Sequence, residues 1–194
     1  MATLKLMVLT ASTRPGRVGP AVAAWFADAA RRHGAFEVVP TDLADFNLPV
    51  FDEPNHPTQR KYEHEHTRRW SAAVEAADAY AFVVPEYNFG PTPALVNALN
   101  YLYHEWCYKP AGFVSYGGIS GGMRGVQVTK GLCTTLKMMP MYEAVVIPNV
   151  NTLLKDDGGR KVFSANELHE KSAAALLTEL HKWATALRTI RVPG

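Results

Sequence analysis

Apolar residues in this chain form two kinds of run that alternate along its length. Short, mostly apolar stretches at Leu4–Thr10, Phe36–Thr41, Ala79–Val84, Ala111–Ser115 and Glu143–Ile147 read as strands. A run such as Ala79–Val84, apolar at every position, suits the middle of a parallel sheet, where neither face meets water. Between the strands, apolar residues recur at helical spacing. Val22, Ala23, Phe26, Ala27 and Ala30 predict a helix over Pro20–Arg32, opened by its proline and stopped by Gly34. Tyr62, His66, Trp70, Ala73 and Ala77 predict another near Thr58–Ala77, and a further helix is expected over Met123–Met138. Asp157-Gly158-Gly159 reads as the turn of a small excursion. The last helix is expected to open with a capping box at Ser164-Ala165-Asn166-Glu167 and to bury a stripe of Leu176, Leu180, Trp183 and Leu187.

Five strands alternating with helices give an α/β fold, a doubly wound parallel sheet with helices on both faces. The strand order 2-1-3-4-5 is the flavodoxin-like choice among such sheets; the alternation sets the class and leaves the order open. With 194 residues, no internal repeat and no Pro, Gly or Ser-rich linker, the chain is expected to be one domain over residues 1–194.

Charge and composition narrow the function by exclusion. A formal net charge of +2, with no basic run longer than Arg31-Arg32 or Arg68-Arg69, gives no footprint for nucleic acid or an anionic membrane. No stretch approaches the roughly 20 apolar residues of a membrane helix. The first apolar run is short and broken by Lys5, unlike a secretory signal, so a cytoplasmic protein is expected. Cys107 and Cys133 form no C-x-x-C pair, which indicates neither zinc nor a disulfide framework.

The unusual segments follow the first, third and fourth strands, which are neighbours in the order 2-1-3-4-5 and would converge on one crevice. The first loop, Thr10–Gly19, puts Ser12, Thr13, Arg14 and Arg17 directly before a helix. Hydroxyls, guanidinium forks and a helix N-terminus are what a phosphate dianion needs; a solvated strand-to-helix turn is the plainer alternative. The loop lacks G-K-[ST], and no G-x-G-x-x-G occurs, so neither a nucleoside triphosphate nor a standard dinucleotide fingerprint is supported. The second loop, Pro85-Glu86-Tyr87-Asn88-Phe89-Gly90-Pro91-Thr92-Pro93, is stiffened by three prolines; it suits either a wall with Tyr87 beside an aromatic ring or a plain braced turn with Thr92 capping the next helix, and alone it names no ligand. The third, Ser115-Tyr116-Gly117-Gly118-Ile119-Ser120-Gly121-Gly122, has enough glycine to bring backbone close to a flat ligand. It also satisfies G-x-S-x-G, so a serine hydrolase using Ser120 with Asp157 and His169 stands as the alternative function.

In this order and spacing, the Ser-Thr-Arg loop, Pro-Glu-Tyr-Asn followed by Gly90, and the Ser-Tyr-Gly-Gly loop resemble the NADPH-dependent FMN reductase family, which includes azo and quinone reductases. Lys109-Pro110 and Asp52-Glu53-Pro54 fit it as well. The resemblance implies bound FMN, with NADPH or NADH as co-substrate and a small-molecule electron acceptor. By position, Ser12, Arg14, Arg17, Val18 and Gly19 would hold the FMN phosphate. Pro85, Glu86, Tyr87 and Asn88 would border the isoalloxazine, and Ser115, Gly117 and Gly118 its pyrimidine side. Departures from the family pattern are Ala11 for a common Gly, and Arg17 and Gly19 for the usual Ser and Asn. No catalytic side chain is then required, because the flavin carries the chemistry.

The resemblance also implies a homodimer, or a tetramer, with flavins near the subunit interface. Tyr101, Tyr103, Trp106 and Tyr108 suit either that interface or ordinary helix packing. A non-enzymatic flavodoxin-type electron carrier is disfavoured, since such carriers tend to be strongly acidic. His64-Glu65-His66 is expected on an exposed helix face with its two imidazoles pointing apart, and therefore not to hold a metal.

Overall fold

The structure is a computed structural model that describes residues 3–191; residues 1–2 and 192–194, the ends of the expected domain, lie outside the described residues. Its first strand, β1 (Leu4–Thr10), divides its side chains between two cores, Leu4, Leu6 and Val8 entering one and Met7 and Leu9 the other. The third, β3 (Ala79–Pro85), does the same, with Ala79, Ala81 and Val83 against Tyr80, Phe82 and Val84. β3 reads as an unbroken apolar run because neither of its faces is wet, while β1 is interrupted only by Lys5, whose side chain reaches solvent.

With β2 (Phe36–Asp42), β4 (Pro110–Tyr116) and β5 (Met139–Ile147) they form one five-stranded parallel sheet in the order β2-β1-β3-β4-β5, as expected. One face is covered by α1 (Gly19–His33) and α5 (Glu167–Leu187), the other by α2 (Glu65–Glu75), α3 (Pro93–Asn100) and α4 (Met123–Thr135). The two cores differ in grain. The α2–α4 side packs large rings, with Trp106 5.0 Å from Tyr80 and Trp70 5.8 Å from Trp106, centroid to centroid. The α1–α5 side is lined by alanines and by Gly112, where a Cβ would stand 2.8 Å from Leu176 Cδ1. Among the described residues no helix is long and apolar enough to cross a membrane.

Three expectations about local structure are corrected. The helix predicted over Thr58–Ala77 is α2, Glu65–Glu75, preceded by a separate 3-10 turn at Pro57–Gln59 that ends on Arg60 at φ +53°. The buried Glu53 carboxylate accepts the backbone N–H groups of Glu63 (2.8 Å) and His64 (3.0 Å), which holds that stretch extended and outside the helix. Tyr62 therefore leaves the predicted face and donates to Glu105 instead. Of the aromatic segment, Tyr101 and Trp106 are fully buried in their own core, so packing accounts for them and they offer no interface.

The cap of α5 is Asn166 rather than Ser164. Asn166 Oδ1 accepts from the His169 backbone at 3.0 Å, and His169 Nδ1 accepts from the Asn166 backbone at 3.2 Å. Histidine thus fills the place of the usual Glu or Gln in a capping box. The buried stripe is Ala173, Leu176, Leu177, Leu180 and Ala184, while Trp183 is 38% exposed. Before α5, β6 (Leu154–Asp157) and β7 (Arg160–Phe163) form the expected hairpin, turned by Gly158 and Gly159, both at positive φ.

This cap works only while His169 is neutral, because protonated Nδ1 cannot accept. Burial pushes the His169 pKa down, partly opposed by Glu170. A lowered folded-state value means stability is complete above the ordinary histidine pKa of about 6.5 and falls as pH drops below it. Urea unfolding at pH 7.5 and 5.5 is expected to show that loss in the parent chain and a smaller one in His169→Gln, which keeps the acceptor; equal losses count against the imidazole cap.

Candidate functional site

The sheet order reverses between β1 and β3, and the crevice outside their carboxyl ends is where an open α/β sheet binds ligands. Residues 11–18, 86–92 and 117–122, following β1, β3 and β4, meet there and are bonded to one another. Ala11 N–H donates to the Val83 carbonyl (3.0 Å). Thr92 caps α3 by accepting from Leu95 N–H, and its hydroxyl donates to the Ala11 carbonyl (2.8 Å). Tyr116, the last residue of β4, donates to Ser12 Oγ (3.2 Å). Burial pushes the Tyr116 phenol up to about 12, partly offset by its bond to Ser12 and the nearby guanidiniums, so it stays a donor near neutrality.

That Tyr116–Ser12 pair seats the start of α1. A Cβ at Gly19 would lie 2.5 Å from Ser12 Oγ and 2.6 Å from the Tyr116 hydroxyl, so only glycine lets the helix come this close. Val18 is the N-cap, with no side-chain cap bond and no acid in the first turn. The leading N–H groups and the positive end of a 15-residue helix thus face the loop with no anionic side chain to meet them. Arg14 is exposed, and its guanidinium makes no ion pair or hydrogen bond among the described residues. Arg17 is differently placed: it grips both carboxylate oxygens of Asp42 (2.6 and 2.7 Å) and the Ser12 carbonyl. Its charge is already matched, and it fastens the loop to the end of β2.

In the second loop, Pro85 belongs to β3 and is buried. Tyr87 and Gly90 exchange both backbone hydrogen bonds at 2.9 Å around Asn88 and Phe89, which sit at φ +49° and +68°. Two left-handed central residues are the mark of a type I′ turn. Asn tolerates that conformation; a bulky aromatic does so at a cost on the order of 1–3 kcal/mol. The surroundings supply compensation. The Arg124 guanidinium lies 3.8 Å from the Phe89 ring centre, and Gly125, whose Cβ would be 2.8 Å from the Gly90 carbonyl, lets α4 press against the turn.

Glu86 makes the same junction from the other side. Its carboxylate accepts from Ser120 Oγ (2.9 Å), Arg124 N–H (3.1 Å) and Arg124 Nε (2.7 Å). Partial burial pushes its pKa up, but Ser120 and Arg124 outweigh that and hold it below the usual glutamate range. Glu86 is therefore an ionised cap for α4 supplied by a neighbouring loop.

The third loop depends on Gly121 and Gly122, at φ +59° and +86°; a Cβ on Gly122 would sit 2.9 Å from the Tyr116 backbone. The carbonyls of Gly117 and Gly118 are taken by the Val150 and Asn149 N–H groups (3.0 and 2.9 Å). Gly118 is exposed, with open space where a Cβ would stand. Ser115 lies outside this loop: it is fully buried within β4, its hydroxyl turned to the Val145 carbonyl at 3.5 Å.

One alternative function fails on this geometry, and one expected side-chain arrangement is corrected. Ser120 donates to Glu86, whereas His169 caps α5 and packs against Trp25 and Phe163, so no Ser-His pair is assembled. The imidazoles of His64 and His66 do not point apart; they stack at 5.1 Å and 13°, because His64 precedes α2 in extended conformation. His66 meets Asp52 at 3.0 Å, yet among the described residues no group of three or more His, Cys, Asp or Glu is arranged to hold a metal. Sequence reasoning missed the roles of Tyr116, Asp42, Phe89 and Arg124. Tyr116 carried a usable signal, a polar-tipped ring ending an apolar strand.

Comparison with known proteins agrees with this architecture. The model of the NADPH-dependent FMN reductase family matches residues 4–152, which contain all three loops. The NAD(P)H-dependent FMN reductase ntnL of Nectria sp is 36% identical over 167 residues, covering 83% of this chain and 80% of the relative. An NAD(P)H-dependent FMN reductase of Schizosaccharomyces pombe is 39% identical over 150 residues, covering 75% and 74%. Among solved structures, the flavoenzyme NAD(P)H:(acceptor) oxidoreductase FerB of Paracoccus denitrificans superimposes with a TM-score of 0.72 over 94% of this chain and 98% of that one, at 18% identity, a likeness of fold. The chain belongs to the NADPH-dependent FMN reductase family, flavoprotein oxidoreductases that work with FMN and NAD(P)H.

Proposed function

We propose that this chain takes electrons from NADPH or NADH and passes them through bound FMN to a small acceptor such as a free flavin, a quinone or an azo compound. The observation that carries this reading is the bonded meeting of three loops at the switch point, beside a helix whose positive end has no anionic cap. These residues fit FMN. The cofactor's phosphate would be held by Ser12, Arg14, Val18, Gly19 and the α1 amides, with Arg17 bracing the loop. Its ring system would lie between the Pro85–Asn88 wall and the Gly117-Gly118 stretch, open at Gly118, with Ser115 supporting from within the strand. When bound, FMN supplies the hydride and electron chemistry. The protein's residues bind, orient and exclude water, and none is assigned a catalytic role.

The working form is a single domain over residues 1–194, a cytoplasmic homodimer or a tetramer built from it. Phe89 and Ile119, 65% and 88% exposed beside the loops, support an interface there.

Purified protein is expected to show a flavin absorption spectrum, or to gain one on adding FMN, and anaerobic NADPH is expected to bleach it; a protein that binds no flavin overturns the reading. Gly19→Ala forces the Ser12–Tyr116 pair apart. It is expected to cost about 1–3 kcal/mol of stability in urea unfolding and to weaken FMN retention. Gly131→Ala, exposed in α4 with open space around it, is expected to gain up to about 1 kcal/mol and keep FMN.

A further inference from the structure

Residues 154–163 lie just beyond the stretch matched by the family model, and they carry a charge feature that the flavin site does not use. The β6–β7 hairpin is anchored at its base, where Phe163 is buried with its ring 5.1 Å from that of Trp25 on α1. Its tip then stands against the first turn of α1. Between tip and phosphate loop runs a cleft of about 380 Å³, lined by Gly16 and Arg17 of the loop, Pro20 of the helix, and Gly159, Arg160 and Lys161 of the hairpin. No carboxylate lines it.

Arg17 is neutralised by Asp42, but Arg160 and Lys161 are not neutralised. Neither makes an ion pair or a side-chain hydrogen bond among the described residues. Their cross-strand neighbours, Asp157 opposite Arg160 and Asp156 opposite Lys161, do not pair with them either; Asp156 accepts the Gly159 N–H at 2.8 Å instead. Arg160 and Lys161 both line this cleft, on the outer side of the loop whose inner side, at Ser12, is assigned to the flavin phosphate. Gly16, at positive φ with nothing within 4 Å of a Cβ, leaves backbone open on the loop rim, whereas the Gly159 N–H is already given to Asp156. An Arg fork, a Lys point charge and exposed backbone form a donor set for a phosphate monoester.

We propose that this cleft receives the 2′-phosphate of NADPH, so that Arg160 and Lys161 set the preference for NADPH over NADH. The inference rests on the flavin-reductase reading, since it assigns a site to that reaction's electron donor. The 2′-phosphate is the group by which the two dinucleotides differ, and the outer rim is a phosphate site that FMN leaves free. Because both cations are exposed, the preference weakens as salt screens them.

The test uses FMN-loaded protein with a fixed acceptor, measuring kcat and KM for both dinucleotides in the parent chain and in Arg160→Ala/Lys161→Ala. Flavin content is read from the visible spectrum of each sample. The parent is expected to favour NADPH, and the double variant to raise its KM about tenfold, so that the NADPH/NADH ratio of kcat/KM falls by the same factor. A parent without preference, or a ratio that does not move in the variant, overturns the proposal. A second measurement needs no variant: adenosine 2′,5′-bisphosphate is expected to compete with NADPH at least tenfold better than adenosine 5′-monophosphate at low salt, and equal inhibition overturns the proposal. A parent chain that holds no flavin would instead sink the reductase reading itself.

Discussion

Everything at the site depends on β1 and β3 lying side by side with both faces buried. Their side chains alternate between a core of alanines and a core of large rings, so a one-residue slip of β3 would drive Tyr80 and Phe82 into the space filled by Ala79 and Ala81. Register in a sheet buried on both sides is therefore fixed by volume as well as by polarity. The points at which the loops leave the strands inherit that precision. Ala11 bonding to Val83, and Thr92 to Ala11, carry it into the crevice.

Around that frame the chain treats the first turns of α1 and α4 oppositely. The end of α4 is closed by Glu86, whose carboxylate takes Arg124 N–H, the Arg124 guanidinium and the Ser120 hydroxyl. The end of α1 has neither a capping side chain nor an acid in its first turn. An anion entering the crevice thus finds the α4 end already answered and the α1 end not. Prolines, glycines and cross-loop bonds set the backbone here, consistent with a protein whose cofactor carries the reaction.

The fold was legible because parallel strands announce themselves. The five apolar runs became the five strands within a residue or two at most ends, except that β5 begins four residues before its predicted start. What could not be read were contacts made by residues distant in sequence. Nothing near Thr58 signals that Glu53 will capture the amides of Glu63 and His64 and delay α2. Nothing near Ser164 signals that a histidine will complete a cap one turn later. At the site, the three loops were legible from composition, and their individual side chains were not. Arg17 looked like a phosphate ligand until Asp42, at the end of another strand, took its guanidinium. Ser115 looked like a loop residue because the apolar run ended on it, while the strand itself continues to Tyr116.

The hairpin after β5 has a division of its own. Its base pair, Leu154 opposite Phe163, belongs to the core, while the pairs toward its tip, Asp156 with Lys161 and Asp157 with Arg160, are exposed. Substitutions at the tip leave the packed core untouched, and those at the base do not. Over evolutionary time the charge beside the loop that opens α1 can therefore drift independently of foldability, so that descendants of one stable scaffold can diverge in the ligands they prefer without first having to regain stability.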